Sequence, residues 1–161
     1  GKLSLPSEDD VVALYNLTIA SLSGYGFSQY EISNFSKPGF ESRHNLKYWN
    51  DEEYLGVGPA AHSFIDVKRF YYPSDIEGFI SGSASIVDDG EGGSFEERLM
   101  LALRLNTGFC GEMPDEFFER VKREAEGSLS GYVEVGPNSI RLTKEGFLVS
   151  NTVIGKILDL I

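Results

Sequence analysis

Cysteine, histidine, tryptophan and clustered positive charge are all scarce in this 161-residue sequence, and each scarcity removes a class of function. The single cysteine, Cys110, excludes an intramolecular disulfide framework, a Cys-rich zinc site and an iron–sulfur cluster ligated by this chain's cysteines alone. Flanked by Gly108-Phe109 and Gly111, with no His nearby in sequence, it reads as a structural thiol. Residues 1–88 carry 6 basic against 12 acidic side chains and residues 89–161 carry 8 against 13, so neither part offers the Lys/Arg cluster that nucleic acid or an anionic membrane needs. No apolar run approaches the roughly 20 residues of a membrane span, and the N-terminal residues lack the charged and apolar regions of a signal peptide. The expectation is a cytoplasmic protein with no membrane span and no nucleic-acid partner.

The remaining composition is that of a folded α+β chain, 41% hydrophobic and 24% charged, long enough to bury roughly 70% of its unfolded surface. Ser7 before Glu8-Asp9-Asp10 predicts a helix from about Glu8 to Ser23, closed by a left-handed Gly24. Val11, Leu14, Tyr15, Thr18 and Leu22 give it an apolar face. Phe27 to Ile32 alternates like a short strand, and the loop Asn34–Ser42 follows. Tyr54 to Gly58 reads as another strand, and Asp75–Ser81 as a short helix. The Gly/Ser/Asp-rich stretch 82–94 reads as a boundary, dividing the chain into 1–82 and 89–161. Beyond it come helices over Phe95–Leu105 and Pro114–Glu126, a hairpin around Gly136-Pro137-Asn138, and a helix from Lys144 to about Leu160 capped by Thr143. Helices, a β-wing and a terminal helix together resemble a winged-helix module. An abrupt start at a helix followed by one αβ unit predicts a fragment whose apolar surface over 1–70 is exposed.

Polar and aromatic chemistry concentrates between Tyr30 and Ser63, which holds Trp49 and both histidines. On a helical turn His44 and Tyr48 share a face, and an imidazole beside flat rings suits a planar ligand such as haem. The residues alone leave open a His bonded to nearby backbone, with Trp49 filling the core. His62 follows small residues, among them Gly56 and Gly58, that permit close approach of backbone to a cofactor, or equally a tightly packed corner. Two histidines about eighteen residues apart, without an acid at ligand spacing, make little of a zinc site. Asp51-Glu52-Glu53 reads as a solvated turn. Glu31 lies in an otherwise apolar strand and requires a partner.

Tyr30-Glu31-Ile32-Ser33-Asn34-Phe35, Arg43-His44-Asn45-Leu46-Lys47-Tyr48-Trp49, Tyr54-Leu55-Gly56-Val57-Gly58-Pro59-Ala60-Ala61-His62-Ser63, Glu97 to Leu105 and Leu142-Thr143-Lys144-Glu145-Gly146 occur in order. Together they resemble the back half of the oxygen-independent coproporphyrinogen III oxidase-like radical SAM proteins, and within that group the HemW type, regarded as haem chaperones. The HNxxYW block at His44 to Trp49 is the feature specific to that subgroup. The resemblance implies that residues 1–82 are the C-terminal αβ remnant of an incomplete radical SAM barrel and 89–161 a winged-helix-like accessory domain. It implies a parent with a [4Fe–4S] cluster and S-adenosylmethionine, both carried with the missing N-terminal barrel half. Haem or porphyrin would be the ligand and haem-acceptor proteins the partners. His44, as iron ligand, with Asn45, Tyr48 and Trp49, becomes the implied haem-binding set. Glu31, Gly56, Gly58 and His62 are implied neighbours of the cofactor pocket, and no catalytic residue is expected in this chain. The alternative within the group is oxidative decarboxylation of coproporphyrinogen III.

Overall fold

The computed structural model describes residues 5–161. Its elements run α1 (Glu8–Gly24), β1 (Ser28–Gln29), β2 (Phe35–Ser36), α2 (Arg43–Trp49), β3 (His62–Ile65), β4 (Lys68–Tyr71), α3 (Ile76–Ser81), β5 (Val87–Glu91), α4 (Phe95–Ala102), β6 (Phe109–Cys110), α5 (Asp115–Glu126), β7 (Val133–Gly136), β8 (Ser139–Leu142), α6 (Lys144–Leu148) and α7 (Ser150–Leu158). Contacts between Cα atoms group them into two compact units, one running up to Ser42 and resuming at Ala102–Ile161, the other comprising Arg43–Leu101. This spatial grouping is discontinuous in sequence, unlike the division into 1–82 and 89–161, whose first four residues lie outside the described ones.

In the discontinuous unit, Ser7 caps α1 as expected: Asp10 N–H donates to Ser7 Oγ at 3.2 Å, and the Asp10 carboxylate accepts from Ser7 in return. Those bonds, from the Ser7 side chain first and its backbone second, hold the Asp10 carboxyl below its ordinary value. The helix continues through Gly24, and it is Gly26 that takes a left-handed φ of 79°. No residue of α1 is buried, and Val11, Leu14 and Leu17 are at least half exposed. The expected strand Phe27–Ile32 shortens to β1, which pairs antiparallel with β2 inside the segment expected to be loop. Glu31 and Ile32 instead join the backbone near Leu105: Glu31 bridges Leu105, and Ile32 N–H donates to Arg104 at 3.1 Å.

The same unit holds the main apolar core. β6, β8 and β7 form an antiparallel sheet, with β8 in the centre. Ile140 and Leu142 alternate inward on β8; Phe117 and Val121, one helical turn apart on α5, and Val153, Ile154 and Ile157 on α7 are buried as well. Each such aliphatic or aromatic side chain contributes roughly 1.5–3 kcal/mol by leaving water. Thr143 caps α6 by accepting from Gly146 N–H at 3.0 Å. The single terminal helix expected from Lys144 is broken at Val149, whose φ of −123° is not helical.

The Arg43–Leu101 unit is built on a second antiparallel sheet in the order β3-β4-β5. β3 and β4 form a hairpin whose two-residue turn, Asp66-Val67, has φ of 49° and 59°, the type I′ signature. β5 lies within the stretch 82–94, which is therefore sheet at its centre and not simply a linker. The expected strand at Tyr54–Gly58 reduces to one bridge, Tyr54 with Phe64. Asp75 caps α3 on Gly78 N–H, and Gly82 closes it in the left-handed conformation. Ser94 Oγ accepts from Glu97 N–H at 3.1 Å to start α4. Among the described residues no helix is long and apolar enough to cross a membrane.

Candidate functional site

Helix α2 carries the HNxxYW residues, and its two turns decide where they point. His44 and Tyr48, four apart, share a face: Tyr48 Oη and His44 Nε2 lie 3.2 Å apart in a hydrogen bond whose donor depends on the imidazole tautomer. The rings meet edge to face at 4.9 Å, and Tyr48 meets Tyr54 in the same manner at 4.5 Å. His44 is exposed, whereas Asn45, Tyr48 and Trp49 are half-buried. An accessible imidazole thus stands at the edge of a packed aromatic cluster.

The end of α2 explains what supports that cluster. Glu52 N–H donates to Lys47 O at 2.9 Å and Asp51 N–H to Tyr48 O at 3.2 Å, a Schellman closure with Asp51 in the position glycine usually fills. Its φ is 54°, unfavourable for a residue bearing a Cβ. The left-handed turn delivers the Asp51 carboxylate, only 5% exposed, to the Arg69 guanidinium at 3.0 Å. Arg69, on β4 and 20% exposed, also meets Glu97 at 2.7 Å, donates to Tyr54 Oη at 3.3 Å and covers the Phe64 ring at 4.3 Å. Gly92 leaves room for it, since a Cβ there would come within 2.6 Å of Arg69 Nε. Desolvation, and then the neighbouring Glu97 charge, push the Asp51 carboxyl above its ordinary value against the pull of Arg69 and Arg98. The expectation of a solvated turn at Asp51-Glu52-Glu53 fails at its first residue. Nothing in the local pattern Lys68-Arg69-Phe70-Tyr71 marks Arg69 as the meeting point of Asp51, Tyr54 and Glu97, which are distant from it in sequence.

The other candidates have separate surroundings. His62, at the start of β3, is exposed, stacks on its cross-strand partner Tyr71 at 4.7 Å and faces Asp89 at 3.4 Å. Gly56 N–H donates to the buried Ser63 Oγ at 3.0 Å, and a Cβ at Gly56 would fall 2.1 Å from the His62 carbonyl oxygen. Its missing side chain is thus required by the packing of its own chain. Gly58 has a φ of 117° with open space beside it. Glu31 belongs to the other unit; it is 3% exposed and accepts a hydrogen bond from Asn34 Nδ2, the partner its burial demands. Among the described residues no three His, Cys, Asp or Glu are placed to hold a metal ion, and Cys110 is exposed and free. These residues do not fit an iron–sulfur cluster. One accessible imidazole beside flat rings is chemistry that suits a planar macrocycle with a metal centre.

No family model matches the chain. Heme chaperone HemW of Bacillus subtilis is 31% identical over 98% of this chain and 45% of its own length, and the protein of the same name from Mycobacterium tuberculosis is 32% identical over 98% and 42%. Over nearly its whole length the chain is similar to proteins of that name. It spans less than half the length of these relatives. A shorter match, 44% identical over 62 residues, joins it to radical S-adenosyl methionine domain-containing protein 1, mitochondrial, of Danio rerio. In fold it is similar to coproporphyrinogen III oxidase (HemN) of Escherichia coli, a radical SAM enzyme, with a TM-score of 0.64 over 97% of this chain and 42% of that one, at 19% identity. The chain therefore has the mixed helix-and-sheet fold of that enzyme's matching part, and its described residues form no closed barrel.

Proposed function

We propose that this chain is the haem-contacting part of a haem carrier, taking up haem or porphyrin at α2 and passing it to acceptor proteins. The observation that carries the reading is the exposed His44 imidazole at the rim of the Tyr48–Tyr54 cluster, on the motif that defines the resemblance. His44 would hold the haem iron, with Tyr48, Asn45 and Trp49 beside it on the same helix. The relatives named as heme chaperones support the same reading.

S-adenosylmethionine and a [4Fe–4S] cluster belong, on this reading, to the part of the relatives' length that this chain does not span, and no step here is routed through them. Gly56, Gly58 and His62, within the Arg43–Leu101 unit, are candidate neighbours of that cofactor. Glu31, the other residue the resemblance implies, is bound up in its own unit with Asn34. Residues 1–82 would be the αβ remnant of an incomplete barrel. Residues 89–161 would be a winged-helix-like accessory domain, a reading supported by the order α5, β7, β8, α6. A cytoplasmic setting suits the exposed free thiol of Cys110, which would be prone to oxidation elsewhere. Oxidative decarboxylation of coproporphyrinogen III is the less supported alternative, because the likeness to that enzyme is one of fold.

Ferric haem titrated into the wild-type protein and into His44→Ala provides the test. Loss of the imidazole-ligated absorption spectrum in the variant is expected; identical spectra and affinities would remove His44 from the account.

A further inference from the structure

The hydrogen bond between Tyr48 and His44 occupies the nitrogen that the haem reading needs. An imidazole reaches a macrocycle's iron most readily through Nε2, because Nδ1 is crowded by its own Cβ. Here Nε2 is engaged by Tyr48 Oη at 3.2 Å. Tyr48 is not a loose surface side chain: its ring packs on Tyr54 at 4.5 Å, and Tyr54 Oη accepts from Arg69. Arg69 is in turn fixed by Asp51 and Glu97. A nearly buried charge cluster therefore stands behind the residue that holds the exposed histidine.

We propose that Tyr48 is a gate on His44, admitting haem iron only when its hydroxyl swings away from Nε2, and that Tyr54 and the Arg69–Asp51–Glu97 cluster hold the gate in its closed position. The inference rests on the haem-carrier reading and assigns Tyr48 a role in controlling ligation. In the opening step the hydroxyl–imidazole hydrogen bond breaks, and the Nε2 lone pair forms the bond to iron. The phenol keeps its proton; where the proton sits on Nε2, it passes through water to Nδ1, so no net proton is released. A carrier gains from such an arrangement because the hydroxyl can return to Nε2 as iron departs, easing release to an acceptor.

Tyr48→Phe keeps the ring and its packing while removing the hydroxyl. Ferric haem should then bind roughly two- to tenfold more tightly, the net worth of one hydrogen bond, with the imidazole-ligated spectrum retained and dissociation slowed. Tyr54→Phe, which cuts the link to Arg69, should move affinity in the same direction by less. In the haem-free protein, the ring 15N shifts of His44 should change in Tyr48→Phe, a readout independent of any ligand. Unchanged or weaker binding in Tyr48→Phe, while His44→Ala loses the ligated spectrum, overturns the gate and leaves the haem reading standing. Unchanged binding in His44→Ala overturns both. Identical His44 15N shifts in wild type and Tyr48→Phe overturn the gate whatever haem does.

Discussion

Arg69→Met would test whether the ion cluster, and not the small amount of apolar contact nearby, holds the Arg43–Leu101 unit together. Methionine keeps much of the stem that packs near Phe64 but leaves Asp51 and Glu97 facing each other with no guanidinium between them. Removing one partner of a buried ion pair typically costs about 3–5 kcal/mol, and loss of the cation–π contact adds about 1 kcal/mol. Because Arg69 keeps 20% exposure, the lower end, about 3 kcal/mol, is the expectation. That is a large share of the roughly 5–15 kcal/mol that stabilises a domain. Urea unfolding followed by Trp49 emission reads this unit directly, since Trp49 is the only tryptophan and lies on α2. The sign with pH follows from Asp51. Its carboxyl titrates above its ordinary value, so the folded state favours the protonated form; that contribution is present at low pH and lost as pH rises through the raised value. Losing Arg69 removes one of the two pulls in the opposite direction and raises it further. The penalty of the variant should therefore be full near pH 7 and shrink toward about pH 4. A loss below about 1 kcal/mol at neutral pH, or one that stays constant across that range, would refute the assignment. Asp51→Asn combined with Arg69→Met should recover part of the loss.

Gly56→Ala should destabilise by about 1–3 kcal/mol in urea titrations, because its Cβ would meet the His62 carbonyl, whereas Gly24→Ala, with open space around it in α1, should raise stability by about 0.5–1 kcal/mol. Ser7→Ala should lower helix content, measured by circular dichroism, by opening the capping box. The Asp10 carboxyl is held low by Ser7, so its stabilising contribution is present above its ordinary value and lost as pH falls; the acid limb of the melting profile should flatten in the variant. The exposed apolar side chains of α1 predict concentration-dependent self-association by sedimentation, reduced in Leu14→Glu/Leu17→Glu, and unchanged monomer at all concentrations for the wild type would argue against it.

Local signals were legible where one residue type answers one backbone need. Ser7 and Thr143 each cap the helix expected of them, and the turn at Pro137-Asn138 joins the strands it was expected to join. Strands were less legible, because their partners are distant in sequence. Phe27–Ile32 alternates well enough, yet only Ser28 and Gln29 find a ladder, and the Glu31 backbone meets Leu105 instead. The β3–β4 hairpin escaped notice because its turn places Val67 at a φ of 59°, where Asn-Gly or Asp-Gly would have announced it. β5 was hidden by the glycines and aspartates that otherwise mark a linker.

The candidate site shows the same asymmetry between residues that form a local pattern and residues that converge from afar. The His44–Tyr48 pair could be placed on one face from spacing alone, because an α-helix fixes that geometry within its own four residues. Asp51 could not, because its role depends on adopting a left-handed conformation whose unfavourable energy is offset by an arginine eighteen residues later on β4. A glycine at that position would close α2 with less strain, but it would leave Arg69 with Glu97 alone and loosen the Arg69 contact that orients Tyr54. The strained aspartate is therefore best understood as the connection between the end of the helix that carries His44 and the buried charge that stiffens it. Asp51→Gly against Asp51→Asn separates the two effects: glycine relieves the backbone and deletes the carboxylate, asparagine keeps the side chain's reach without its charge. If the connection matters to the site, both should weaken the Tyr48–His44 hydrogen bond, seen in the His44 15N shifts, even though glycine alone relieves the turn.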